Sequence, residues 1–565
     1  MEVNNQYFRA LIPGPLDIAV HSAVVHLERE HAVRRLLGCD WTLWKPEDRE
    51  ISNRLGWLDA PDRAAAEIPA YKNFAESLLR EGVERVILLG MGGSSLAAEA
   101  LNRIIGPAPS FPVLEVLDTT APEAVIDAGR DLDFRKTVFI VSSKSGTTAE
   151  SNALLCRFYG QAEKRLGPRT AGERFAAITD PGTPLESTAR SLGFRTVFHG
   201  MTDVGGRYSA LTAFGLVPAA CIGADLNKLA RAAAEAAADC RAERVGANPG
   251  AMLGAILGAA AESDVDKLTF INQGTLRPFF DWAEQLLAES TGKEDKGIVP
   301  VFETRVDETT AYRRDRMFVV LQGRDDSSAV DDAERLAESG FPAIVFPLDD
   351  IGGLGSAFFV WEEAAAFVGA IMGVNPFDQP DVEATKRQTK RLLSHGRGPS
   401  VPAEAGTCLV EENIKAFGAG PAANLAEALE AFFRKRGPDD YLAVQAFLPP
   451  SDRMTEAVER LAAVLRRRSG LPVTVGFGPR YLHSTGQLHK GKKSGLFLQL
   501  AASRHAELPV PEVPGVDRPA RSFRELFAAQ SWADWLALEE KGRPVMRLEL
   551  PTPDAAALDR LSLRI

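Results

Sequence analysis

The stretch "VERVILLGMGGSSLAAEALNRIIG" (83–106) passes from strand to helix across one glycine-rich turn. Residues 83–90 form a short apolar run of strand length, and 92–106 carry a helical pattern. A buried strand feeding such a turn opens a right-handed βαβ unit. The pattern recurs after it. "FPVLEVLD" (111–118), "KTVFIVSS" (136–143), "RFAAITD" (174–180) and "FRTVFHG" (194–200) read as further strands, with "TAESNALLCRFYGQAEKRL" (148–166) a helix between them. It restarts with "KLTFINQG" (267–274), "RMFVVLQG" (316–323) and "FPAIVFPL" (341–348), spaced by helices at 276–290, 330–339 and 355–373. A third piece holds "YLAVQAFL" (441–448), "PVTVGFG" (472–478) and "GLFLQLAA" (495–502).

The predicted class is therefore α/β, with two doubly wound, mostly parallel sheets bearing helices on both faces and a C-terminal α/β extension. The expected boundaries are a helical N-terminal region (1–80), a first α/β domain (81–250), a second (251–420), and the extension (421–565). Within 1–80, "DIAVHSAVVHLEREHAVRRLLG" (17–38) reads as one amphipathic helix. Its His21, His26 and His31 drift around the helix and share no ligand face.

Bulk properties narrow the function classes. Of 565 residues, 45% are hydrophobic and 25% charged, an ordinary globular composition. A formal charge of −11 argues against nucleic acid or an anionic membrane as the main partner, though not against a small anionic substrate. The five cysteines are scattered and never CxxC, the usage of a reducing compartment. The start carries no basic-then-apolar leader, and "GAMLGAILGAAAE" (250–262) is too short to span a bilayer. A cytoplasmic location is expected.

Five segments carry candidate chemistry. In "LLGMGGSSLAAEAL" (88–101), Gly93 permits close backbone approach, and Ser94 offers a hydroxyl and an amide at a helix start. In "VSSKSGTTAES" (141–151), Ser143, Ser145, Thr147 and Thr148 surround Lys144 just before a helix, a set suited to a phosphate monoester held without metal. "DVGGRYSALTAFGL" (203–216) sets Arg207 after a glycine pair, where a guanidinium can meet developing oxyanion charge or pair with Asp203 or another carboxylate. "QLLAESTGKEDKGIVP" (285–300) places Glu289 in the last turn of a helix ending near Gly292, where the dipole tends to raise a carboxyl pKa toward that of a carbon-proton base. "GVNPFDQPDVEATKRQTK" (373–390) has Gln379 and Lys386 seven apart, which predicts one shared helix face. A sixth, "GPRYLHSTGQLHKGKKSG" (478–495), holds His483 and His489. Their spacing does not suit a metal pair, and no cysteine pair completes a zinc site.

Together "GMGGSSL", "SSKSGTT", "GGRYS", "ESTGK" and "NPFDQP", in this order, resemble the glucose-6-phosphate isomerase (phosphoglucose isomerase) family, which is built from two sugar-isomerase (SIS) domains. The resemblance implies reversible interconversion of glucose 6-phosphate and fructose 6-phosphate through a cis-enediol, with no metal or organic cofactor. Glu289 would shuttle the proton and Arg207 stabilise the enediolate. Ser143, Ser145 and Thr148 would hold the phosphate with Gln379, and Gly93 and Ser94 would contact the sugar. Lys386 would assist ring opening with a histidine. The interval 300–376 contains no histidine, and the matching segment, "LHSTGQ" (482–487), follows Lys386 instead. That arrangement is most similar to the isomerase part of bacterial transaldolase–isomerase fusions, and it makes His483 the ring-opening candidate. His489 would be a neighbouring contact or structural. The family's usual homodimer is implied, with no nucleic-acid or membrane partner. Two alternatives stand beside this reading: an isomerase that also takes mannose 6-phosphate, and a non-catalytic SIS sensor of sugar phosphates.

Overall fold

The computed structural model describes residues 1–565 apart from 273, 325, 327, 395–404, 407, 517 and 565. The chain packs as two compact units. The first comprises 1–116, 135–147 and 173–379, and the second 117–134, 148–172 and 380–565.

The first unit opens with a hairpin of β1 (Glu2–Asn4) and β2 (Arg9–Leu11). A five-stranded sheet follows, made of β3 (Arg85–Gly90), β4 (Val113–Leu117), β5 (Thr137–Ser142), β6 (Phe175–Thr179) and β7 (Thr196–His199) in the order β4-β3-β5-β6-β7. Strands β3, β5, β6 and β7 run parallel. The second sheet has β8 (Lys267–Ile271), β9 (Val299–Glu303), β10 (Arg316–Gln322) and β11 (Ala343–Pro347), mutually parallel in the order β11-β10-β8-β9. The central strands carry unbroken apolar, buried runs at 86–89, 138–141 and 317–321, as parallel strands covered on both faces require.

The core of this unit is the long helix Ile351–Met372, packed against Pro249–Glu262 and Leu226–Asp239. Small residues make the first contact possible: a β-carbon on Gly254 would lie 2.7 Å from that of Phe367. The run 250–262, too short for a bilayer, is thus a buried core helix.

The second unit carries a six-stranded sheet. Its strands are β12 (Leu409–Glu411), β13 (Ile414–Phe417), β14 (Leu442–Phe447), β15 (Val473–Phe477), β16 (Leu496–Ala502) and β19 (Val545–Leu550), with β17 (Pro509–Pro511) and β18 (Pro519–Ser522) forming a separate ribbon. The order is β12-β13-β19-β16-β14-β15. The last four are parallel and the β12–β13 hairpin is antiparallel to β19. Helices Asp452–Ser469 and Ala555–Arg564 pack on one another over Leu442, Val444, Leu498 and Leu548.

The α/β class with parallel sheets flanked by helices matches expectation, while the linear partition does not describe how the chain packs. The N-terminal region is not separate: β2 pairs antiparallel with β11, and Phe8, Ala10 and Ile12 are buried in the core of the first unit. The expected 17–38 helix is two, Leu16–Arg29 and Ala32–Leu37, broken where His31 takes φ +51°. Helix Ala149–Leu166, which follows β5, belongs to the second unit with the C-terminal sheet.

Candidate active site

Strands β3 and β5 are parallel neighbours with Gly90 opposite Ser142, so the glycine turn and the hydroxyl loop leave their carboxyl ends side by side. Open α/β sheets bind ligands at such ends. The Ser142 hydroxyl donates to the Ser94 carbonyl at 2.8 Å and joins the two turns. Gly93 lies against the turn that carries Arg207: a β-carbon there would fall 2.1 Å from the Gly206 carbonyl oxygen and 3.0 Å from the Arg207 amide. Only glycine lets these backbones approach so closely. Ser209 ties them by donating to the Gly93 carbonyl at 3.1 Å.

In the hydroxyl loop, Ser143 is buried and accepts the Gly146 amide at 3.1 Å. Ser145 and Thr147 are more open and share a 2.9 Å hydrogen bond. Thr148 sits at the N-cap of Ala149–Leu166 without a side-chain cap bond. Lys144 is placed differently from its neighbours. Its ammonium pairs with Asp180 at 2.6 Å and donates to the Met201 carbonyl at 2.8 Å, so it braces the loop from behind.

Arg207 and Glu289 meet directly. Arg207 Nε donates to Glu289 Oε2 at 3.0 Å, and both side chains are buried. Glu289 lies in the last turn of helix Arg277–Thr291, as its spacing from Gly292 predicts. The rest of the guanidinium is held by "NPFDQ": it donates to the carbonyls of Pro376 (2.7 Å) and Asp378 (3.1 Å) and to Gln379 Oε1. With its donors spent this way the fork has one orientation. Asp203, the alternative partner, pairs instead with Arg63 at 2.8 Å.

Lys293, the lysine of "ESTGK", was not singled out by its sequence. It is buried, donates to the Asn375 carbonyl and faces Asp378 Oδ1 at 2.8 Å. Burial, followed by the neighbouring Arg207 charge, pushes its pKa down to about 7.

His483 sits in the single turn Arg480–His483, and its Nε2 lies 3.0 Å from Glu150 Oε1. Glu150 is fully buried in the first turn of Ala149–Leu166, two residues beyond Thr148. Burial alone would raise its pKa, but the His483 imidazole and the more distant Lys386 charge hold it below the usual carboxyl value. An ionised carboxylate only accepts, so Nε2 carries the hydrogen and Nδ1 becomes the imidazole's basic nitrogen. Glu150 follows the hydroxyl loop in sequence, yet its partner is 333 residues away, and no local pattern marks it.

Gln379 and Lys386 do not share a helix face. Pro380 follows Gln379, and the helix begins only at Val382 and runs to Ser394. Lys386 is exposed and pairs with Glu383 at 2.8 Å, while Gln379 faces Arg207. His489 is buried among Tyr441, Tyr481 and Phe497, with Nδ1 3.0 Å from Gln445 Nε2. Burial keeps it neutral, the environment of a packed structural residue. Among the described residues no group of three or more histidines, cysteines and carboxylates is arranged to hold a metal.

Comparison with known proteins identifies relatives of this chain. The family model described as "Phosphoglucose isomerase" matches residues 77–296, from before β3 to just past Glu289. A glucose-6-phosphate isomerase of Symbiobacterium thermophilum is 30% identical over 389 residues, covering 60% of this chain and 86% of that protein. One from Clostridium novyi is 29% identical over 393 residues, with the same coverages. Among solved structures, a hypothetical protein from Thermus thermophilus aligns with a TM-score of 0.60 at 26% identity, over 68% of this chain and all of that one. A glucose-6-phosphate isomerase from Chlamydia trachomatis has the same TM-score at 17% identity, over 70% of this chain and 89% of its own, and shares the fold. The chain belongs to the phosphoglucose isomerase family.

Proposed function

We propose that the chain interconverts glucose 6-phosphate and fructose 6-phosphate by proton transfer through a cis-enediol. The observation that carries this reading is the buried Arg207–Glu289 pair. An aldose–ketose shift needs a carboxylate that removes the C2 proton and returns it to C1, and a cation beside the oxygen that gains charge meanwhile. Glu289 is the base, and Arg207, fixed by Pro376, Asp378 and Gln379, is the cation. Gln379 acts through the guanidinium.

The hydroxyls of Ser143, Ser145, Thr147 and Thr148, with the amides at the start of Ala149–Leu166, hold the phosphate, and Lys144 braces the loop. Gly93 and Ser94 contact the sugar. His483 moves a proton between the ring oxygen and the anomeric hydroxyl, so that the hemiacetal opens, and Glu150 holds its tautomer. Lys386 assists from the same unit. The five thiols are free, which supports a reducing cytoplasm, and the family likeness supports a homodimer.

A coupled assay of fructose 6-phosphate formation from glucose 6-phosphate tests the reading. Turnover that persists in EDTA is expected. No conversion in either direction, or a strict metal requirement, would overturn it.

A further inference from the structure

The helix Phe523–Glu540 grips both members of the His483–Glu150 pair. It starts with a capping box, the Ser522 hydroxyl accepting the Glu525 amide while the Glu525 carboxylate accepts the Ser522 amide, so its register is fixed. Gln530 and Asp534 lie four residues apart and therefore share one face. Asp534 accepts the Tyr481 hydroxyl at 2.6 Å and the Lys490 ammonium at 2.6 Å, which anchors the turn two residues before His483. Gln530 reaches the other member: its Nε2 donates to Glu150 Oε1 at 2.6 Å, the same oxygen that faces His483.

The Gln530 amide has one orientation. Thr120 Oγ1 lies 2.7 Å from Gln530 Oε1, and a hydroxyl can donate to that oxygen. The carboxylate on the other side only accepts, so it must meet the NH2. All three side chains are buried, where a misdirected polar atom costs the most. The relay thus runs from Thr120 to Gln530, Glu150 and His483, with each donor and acceptor assigned.

We propose that Gln530, oriented by Thr120, is a positioning residue that holds Glu150 in place for His483 to open the sugar ring. This builds on the reading that His483 performs ring opening. Gln530 touches no reacting atom. It fixes the carboxylate oxygen that sets the imidazole's tautomer and direction, a restraint supplied from the C-terminal extension.

Anomer exchange provides the test. Opening and reclosing the ring interconverts the α and β anomers and leaves the C2 hydrogen untouched, so it reports on His483 independently of Glu289. Exchange of glucose 6-phosphate anomers is followed by NMR beside isomerisation in Gln530→Leu, Thr120→Val, Thr120→Ser, His483→Ala and Glu289→Gln. The expected result is that Gln530→Leu slows both rates by about tenfold or more, through kcat with KM little changed. Thr120→Val should slow both as well, Thr120→Ser should restore them, and Glu289→Gln should lose isomerisation alone. Normal exchange in a folded Gln530→Leu protein, where His483→Ala has lost it, overturns the proposal and leaves the ring-opening reading standing. Normal exchange in His483→Ala overturns that reading and the proposal with it. If Gln530→Leu does not fold, the Thr120 pair decides, and equal rates in Thr120→Val and Thr120→Ser overturn the proposal.

Discussion

At the scale of single residues, the site is organised by buried charges that share partners. Arg207 is fixed by two carbonyls and Gln379, so its remaining Nε–H points at Glu289 rather than at solvent. Lys293 holds the same loop from the other side through Asn375 and Asp378. Its pKa, lowered from 10.5 to about 7 by burial and then by Arg207, makes a stability prediction. Between those values the unfolded chain binds a proton that the folded chain has released. Stability from this group therefore rises with pH across that window. Lys293→Met should flatten the rise, read as urea midpoints at about pH 7 and about pH 9.5. Parallel pH slopes in the two proteins would contradict the assignment. The turns at the carboxyl ends of β3 and β5 were legible because glycine, serine and threonine act there through local backbone geometry. Lys293, Glu150 and Gln530 were not, since their meaning lies in partners 82, 333 and 380 residues away.

At the scale of elements, apolar runs and turns located most strands, and the helix carrying Glu289 ends where its glycine predicts. The errors have physical causes. A period of seven across Pro380 mimicked a helix face, but the proline stands before the helix and Gln379 stays outside it. β1 and β2 are three residues each, too short to show a period. The core helix Ile351–Met372 buries Glu362 and Glu363, which its otherwise apolar sequence does not explain. Burial raises both, Glu363 from 4.5 to about 7 despite its Cys240 and Asn248 partners. From pH 4.5 to about 7 the folded chain keeps the Glu363 proton that the unfolded chain loses, so stability falls as pH rises through that range. Glu363→Gln, which imitates the neutral form, should match the native protein in acid and exceed it above neutrality. The gain is on the order of 3 kcal/mol at most. Denaturant titrations at several pH values check this, and a gap independent of pH would contradict it.

At the scale of the whole molecule, the chain order of the motifs was legible and the packing units were not. Segments 117–134 and 148–172 belong to the second unit, where their partners lie: Glu123 on His505, Thr120 on Gln530 and Glu150 on His483. His483 therefore pairs with Glu150 of its own chain. Co-expressed Glu150→Ala and His483→Ala chains should recover no activity, since neither holds an intact pair. Recovery in the mixed protein would mean that the pair forms between subunits. The central claim, proton shuttling by Glu289, is tested most directly by the fate of the C2 hydrogen. With glucose 6-phosphate deuterated at C2, the native protein should form fructose 6-phosphate with deuterium carried to C1 or exchanged with water. Glu289→Gln should still bind the sugar phosphate yet lose that transfer by about a hundredfold or more. Unchanged transfer in Glu289→Gln would contradict the account.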